Sequence, residues 1–161
     1  MCANPYCKKN GKDDIVFDEL NKLPRPYRIL KNIFFCLKVP VTHPRLSEKV
    51  RSCQIDYVVI GPSGVFVIES KQWDEFAFKE MIPYHQADTA DLIVYIKLNN
   101  RFSQRIPKYT ILLIPPSMSV IDYGYVHQLT VWELITFIVE KKEVFSKSEI
   151  REITRMMLGK I

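Results

Sequence analysis

The chain is predicted to be an α/β domain, a mixed β-sheet flanked by helices, on three observations. Two β-branched apolar runs, residues 54–60 and 65–71, enclose a Gly61-Pro62-Ser63-Gly64 turn, the sequence form of a hairpin. Helix-period and strand-like segments alternate on either side of it. A length of 161 residues with 47% hydrophobic content suits one domain with one substantial core, and residues 1–10 read as an N-terminal extension.

In chain order, residues from Asp13 to Leu23 are expected to be a helix, with Val16, Leu20 and Leu23 on one stripe and Pro24 ending it. Tyr27 to Phe35 reads as a strand, although its apolar positions alternate imperfectly. Val39 to Arg51 mixes Pro40, His43 and Pro44 with charges and reads as an exposed loop. After the hairpin, Pro83 to Leu98 is a helix with Ala87, Ala90, Ile93, Val94 and Leu98 as packing positions. Tyr109 to Ile114 is a buried strand stopped by Pro115-Pro116. Thr130-Val131-Trp132-Glu133 and Ser146-Lys147-Ser148-Glu149 are capping boxes that open the last two helices.

The hairpin holds the chemistry. A symmetric turn about the Pro62–Ser63 bond sets Ile60 against Val65, Val58 against Val67, Asp56 against Glu69 and Gln54 against Lys71. Alternation then brings Asp56, Glu69 and Lys71 out on one face at the open end, with Ile55, Tyr57, Phe66 and Ile68 on the other. Carboxylates ~5 Å apart repel by about 3 kcal/mol at an effective dielectric near 20. A divalent cation on oxygen ligands offsets that repulsion, and Lys71 adds a fixed positive charge beside it. Solvated surface acids are the competing reading, but strands this apolar on both faces are usually buried.

Asp followed across a hairpin by Glu-x-Lys resembles the active-site signature of the PD-(D/E)xK nucleases. The fuller run Gln54 to Lys71 resembles, more narrowly, the nuclease-related domain (NERD) family. The resemblance implies a restriction-endonuclease-like fold and a metal-dependent nuclease that hydrolyses phosphodiesters, with DNA the expected substrate. It implies Mg²⁺, with Mn²⁺ as substitute, held by Asp56, Glu69 and the Ser70 carbonyl, and Lys71 as the catalytic cation. Leu20-Asn21-Lys22-Leu23-Pro24 fits the family's Leu-x-x-Leu-Pro segment, which places its helix-borne acid at Asp13. Glu19 competes for that role, and a first-turn acid complementing the helix dipole is the structural alternative. Pro83-Tyr84-His85-Gln86 resembles a family Pro-x-x-Gln segment, making Gln86 a candidate to orient phosphate or water. Trp73-Asp74-Glu75 departs from the glycine-bearing turn usual after the core lysine.

Charge bears on the partner. The net charge of +5 is uneven: Arg25, Arg28, Arg45, Lys49 and Arg51 lie in a stretch poor in acids, and Arg101 and Arg105 in a second one. These seven are the candidate nucleic-acid contacts. A nucleic-acid-binding module without turnover, and a scaffold with incidental acids, are the alternatives. No apolar run approaches the ~20 residues of a membrane span, and Met1 to Lys9 lacks an apolar leader core, so no membrane partner and a cytoplasmic setting are expected. A homodimer is left open, as is zinc on Cys2, Cys7, Cys36 and Cys53; scattered thiols in a reducing compartment are more often small buried hydrophobes.

Overall fold

The structure, a computed structural model, describes residues 14–70, 73–102 and 104–159. The alternating pattern yields the expected mixed sheet. β1 (Arg28–Thr42), β2 (Lys49–Gly61) and β3 (Gly64–Glu69) are antiparallel neighbours. β4 (Lys108–Leu113) and β5 (His127–Leu129) extend the sheet in parallel, in the order β1-β2-β3-β4-β5. The helices are α1 (Ile15–Leu20), α2 (Glu75–Lys79), α3 (Ile82–Arg101), α4 (Leu134–Glu140) and α5 (Lys147–Met157). This five-stranded sheet between helical layers is consistent with a restriction-endonuclease-like fold.

The hairpin register is the one the turn predicts, from Gly61↔Gly64 through Ile60↔Val65 and Val58↔Val67 to Tyr57↔Ile68. Its turn is not a solvent tip. Pro62 O accepts the N–H groups of Val144 (2.7 Å) and Phe145 (3.0 Å), and Ser63 Oγ lies 2.9 Å from both Ile138 O and Tyr27 Oη. Glycine is needed on both sides. A Cβ at Gly61 would fall 2.0 Å from the Tyr27 ring, and Gly64 takes φ 137° with Pro107 O 2.7 Å from where its Cβ would stand.

Apolar faces divide between two layers. Val58, Ile60, Val65 and Val67 pack with Ile93, Val94 and Leu98 of α3 and Ile150 and Ile153 of α5. Val59, Phe66 and Ile68 join Leu20 of α1 and Leu134 and Ile138 of α4. A third cluster, with Phe78, Tyr84, Ala87 and Leu112, closes the head of α3 over the sheet.

One expectation about faces is corrected. Ile55 was expected beside Tyr57, yet it packs in the α3/α5 layer with Val58, while Tyr57 lies in the α1/α4 layer. On β1, Leu30 and Ile33 likewise share the α3/α5 layer although three residues apart. The ladder steps from Lys31↔Tyr57 to Ile33↔Ile55 around Asn32, whose φ is 54°. Asparagine tolerates that left-handed conformation better than most residues. The pairing register is the same on either side, so neither strand gains a residue; alternation slips on both strands at Asn32 and Asp56.

The stretch expected as a loop is corrected too. β1 runs on to Thr42 and β2 begins at Lys49, making a long ribbon that buries Leu37 and Val50 in the α3/α5 layer. Pro40 is tolerated because β1 is an edge strand. The first helix is shorter than expected. Asp14 caps it by accepting the Phe17 N–H at 3.0 Å. Both capping boxes are present, the first leading through a 3-10 turn (Val131–Glu133) into α4.

Candidate active site

At the joined ends of β2 and β3, two acids sit inside an otherwise apolar hairpin. Asp56 is 9% exposed and Glu69 2%. The β2–β3 ladder runs as far as Tyr57↔Ile68, and Asp56 and Glu69 are the next residues on the two strands, at the point where alternation slips. Asp56 Oδ2 accepts the Ser70 N–H at 2.8 Å and stands 3.4 Å from Ser70 Oγ. The side chain thus takes a main-chain donor at the end of β3, and the slip at Asp56 is what frees it from the regular pleat. Irregularities of this kind often re-aim a side chain beside a functional site.

Gln86 lies half-buried on α3, in the same turn as Tyr84 and Ala87. Those two pack on Leu112, the ladder neighbour of Glu69 in β4. The helix head therefore overlies the end of the sheet that carries the acids. Between them, Asp74 caps α2 by accepting the Ala77 N–H at 2.8 Å, so the segment that departs from the family's glycine turn forms a short helix. Lys71 and Asp13 lie outside the described residues, as do Cys2 and Cys7.

Of the two sequence candidates for the helix-borne acid, Asp13 lies outside the described residues, and Glu19 is tied up within α1 and the turn that follows it. Glu19 is engaged by Lys22 at 2.5 Å. Asp14 reaches the sheet instead: its Oδ2 is 2.6 Å from Lys31 Nζ and accepts a hydrogen bond from Tyr57 Oη. Tyr57 adjoins Asp56 and Lys31 is its ladder partner. Lys31 also lies over the Phe17 and Tyr57 rings, 5.1 and 5.8 Å from their centroids. The signal for Asp14 was present in the sequence as an N-cap aspartate just before the apolar stripe.

A further buried carboxylate had no sequence signal. Asp88 of α3 is fully buried and is met by Arg45 through Nε (3.1 Å) and Nη2, by Tyr125 Oη and by Tyr123 Oη (3.3 Å). His43, also fully buried, takes the N–H groups of Arg45 and Leu46 on Nδ1 at 3.1 and 3.2 Å. Its Nε2 stands 3.3 Å from Asp88 Oδ1, an electrostatic contact without hydrogen-bond alignment. Burial works to raise the Asp88 pKa, but Arg45, Tyr125 and His43 outweigh it and hold the group below the usual aspartate value. Burial, then Asp88, pushes the Tyr123 phenol up to about 12. This cluster fastens the β1–β2 loop and the chain before β5 onto α3.

The basic candidates do not gather in one place. Arg25 and Arg28 are exposed near the start of β1, whereas Lys49 and Arg51 are exposed at the far end of the ribbon. Arg51 Nε donates to Leu37 O at 3.4 Å, and Arg45 is committed to Asp88. Arg101 and Arg105 are exposed at and beyond the C-terminal end of α3.

Among the described residues, no group of three or more His, Cys, Asp and Glu side chains is placed to hold a metal. Asp56, Glu69 and the Ser70 carbonyl are nonetheless all oxygen donors, the chemistry Mg²⁺ requires; that ion keeps several waters and needs only one or two carboxylates. The donor set therefore fits. For zinc, the register Cys36↔Ser52 and Phe35↔Cys53 sends Cys36 and Cys53 to opposite faces of the ribbon, so those two thiols do not share a metal.

The mixed sheet and its central hairpin suit a nuclease-related domain, and comparison with known families agrees. The chain belongs to the nuclease-related domain family, NERD, whose family model matches residues 8–121. No match is found among curated proteins or among solved structures. Among the described residues, no helix is long and apolar enough to cross a membrane.

Proposed function

We propose that the chain is a Mg²⁺-dependent nuclease that hydrolyses phosphodiester bonds in DNA. The observation that supports this most is the pair Asp56 and Glu69, two acids buried at one end of an apolar hairpin in a chain of the nuclease-related family. Burying carboxylates in such a setting is costly unless something of opposite charge shares the site. Mg²⁺ bound there would polarise the scissile phosphate and lower the pKa of the attacking water.

The chain's own groups have separate tasks. The Ser70 N–H holds the Asp56 carboxylate in one orientation, so little reorganisation is needed when substrate arrives. Glu69 faces it from β3. Lys71, two residues on, orients the attacking water and balances charge developing on the phosphate. Gln86 approaches from the head of α3 to position a phosphate oxygen. Asp14, tied to Tyr57 and Lys31, fixes α1 against the strand that carries Asp56 rather than serving as a ligand.

The second reading, a nucleic-acid-binding module without turnover, draws on the absence of a three-residue ligand group among the described residues. A cleavage panel separates the two: single-stranded, double-stranded, nicked and branched DNA, and RNA, each with Mg²⁺ or Mn²⁺. Cleavage that disappears in Asp56→Ala and in Lys71→Ala, with folding intact, supports the nuclease. Binding without cleavage across the panel supports the module.

A further inference from the structure

Away from the acid pair, at the C-terminal end of α3, lies an open pocket of about 570 Å³. It is lined by Tyr95, Asn99, Phe102, Gln104 and Arg105. Tyr95, Asn99 and Phe102 follow the spacing i, i+4, i+7, so one helical stripe forms its wall. Phe102 is half-buried against the α3/α5 core and is a fixed wall, whereas Tyr95 is 53% exposed and offers its ring to solvent. We propose that this pocket seats a base of a single nucleic-acid strand, with Tyr95 as the stacking platform, Asn99 reading or tolerating the base edge, and Arg105 on the adjoining phosphate. The proposal rests on the nuclease reading and names a part of its substrate.

Three features choose this occupant. The volume is that of a small-molecule site, large enough for a base and sugar. The surrounding sequence is basic: no Asp or Glu occurs from Leu92 to Ile121, while Lys97, Arg101, Arg105 and Lys108 do. A phosphate chain is complementary to that charge. Lastly, an exposed aromatic ring, an amide and a guanidinium converge on one concavity, the combination that single-strand sites use. Lys108 Nζ lies 5.8 Å from the Tyr95 ring centroid, but its charge is engaged by Asp91, so Arg105 is the cation left to the phosphate. Glu149 stands nearby as an anion, its carboxyl held below the usual glutamate value by the Ser146 N–H at 3.0 Å and Gln104 Nε2 at 3.2 Å, so the phosphate must lie on the Arg105 side of the pocket.

The fold also sets a distance. The chain leaves β3 at Glu69, returns along α3 and enters β4 at Lys108, which pairs with Val65 near the start of β3. The pocket thus belongs to the end of the sheet remote from Glu69, with the pairing point of Lys108 roughly 13 Å away at about 3.3 Å per strand residue. A stacked strand covers that span in about four nucleotides at ~3.4 Å each.

The test is fluorescence anisotropy of the full chain with labelled oligothymidylates of increasing length and with a blunt duplex, in EDTA. Tyr95→Ala is expected to weaken single-strand binding about 5- to 150-fold, the range for loss of one stacked base. Tyr95→Phe keeps the ring and should bind like the wild type. Arg105→Ala should lower the salt dependence by about one phosphate contact. Unchanged binding by Tyr95→Ala, an equal loss in Tyr95→Phe, an equal loss on duplex, or no single-strand binding by the wild type would each overturn the proposal. Because no divalent cation is present, the result is independent of cleavage. Single-strand binding through Tyr95 in a chain that cleaves nothing keeps the pocket and sinks the nuclease reading; cleavage with Tyr95→Ala binding unaltered does the reverse.

Discussion

Asp88 and Asp56 are both buried aspartates on elements of the same sheet-and-helix layer, but their surroundings differ in kind. Around Asp88 the chain gathers a guanidinium, two phenols and an imidazole from the β1–β2 loop, the segment before β5 and α3. Asp56 is met by the Ser70 N–H and hydroxyl, and Glu69, the residue before Ser70, is buried at the end of β3. A carboxylate enclosed by matched donors is part of the fold's fastening. At Asp56 the contacts shown are to Ser70, and the proposed role of that carboxylate is to bind a cation from solution. Buried charge alone therefore does not mark a site; what the fold places next to it does.

Breaking the first of these sites is expected to have the largest effect on stability. Asp88→Asn removes the anion that Arg45 and His43 face, and losing one partner of a buried pair costs about 3–5 kcal/mol. Urea unfolding should show that loss, while cleavage per folded molecule stays near wild type. If stability is unaffected, Asp88 is not a fastening point.

Gly61→Ala sharpens the contrast within the hairpin, because a Cβ there meets the Tyr27 ring at 2.0 Å. Overpacking of this kind costs about 1–3 kcal/mol. Gly124→Ala makes the control: nothing lies within 4 Å of its Cβ, although its φ of 52° adds backbone strain. A melting temperature lowered no more by Gly61→Ala than by Gly124→Ala would show that the turn can shift to make room.

Acid titration tests the same comparison by a gentler route. Asp88 is held below its unfolded value, near 3.9, so the unfolded chain binds more protons in that range. Its contribution is complete above about pH 4 and is lost as pH falls through the lower folded value. The difference in stability between wild type and Asp88→Asn should therefore shrink on acidification below pH ~4, and a constant difference would contradict the account. Smallest is Ser146→Ala, which removes the Ser146 Oγ acceptor of the Glu149 N–H and is expected to cost about 1 kcal/mol by urea unfolding.

How much could be read beforehand depended on how local each signal was. The hairpin register, both capping boxes and the strand ending before Pro115 depend on neighbours in sequence, and all appear as expected. The distal ribbon did not announce itself, because on an edge strand Pro40 and exposed lysines are compatible with pairing that only the partner strand reveals. The three residues of β5 and five of α2 are too few to show a period. Ile55 was set on the wrong face because the slip originates at Asn32, on the neighbouring strand. In the hairpin, the burial of Asp56 and Glu69 was legible from a single turn between apolar strands. Asp14 was overlooked for its neighbours Asp13 and Glu19, since helix phase alone does not say which acid begins the helix. The Asp88 cluster joins residues 43, 45, 88, 123 and 125, which no local pattern connects.

Asp56 and Glu69 are proposed to hold one cation between them. Isothermal titration calorimetry with Mg²⁺ and with Mn²⁺, on the wild type and on folded Asp56→Asn and Glu69→Gln, tests it most directly. Saturable binding by the wild type that is lost in both variants is the predicted result; wild-type protein that takes up neither ion, or variants that bind as well as it does, would contradict the account.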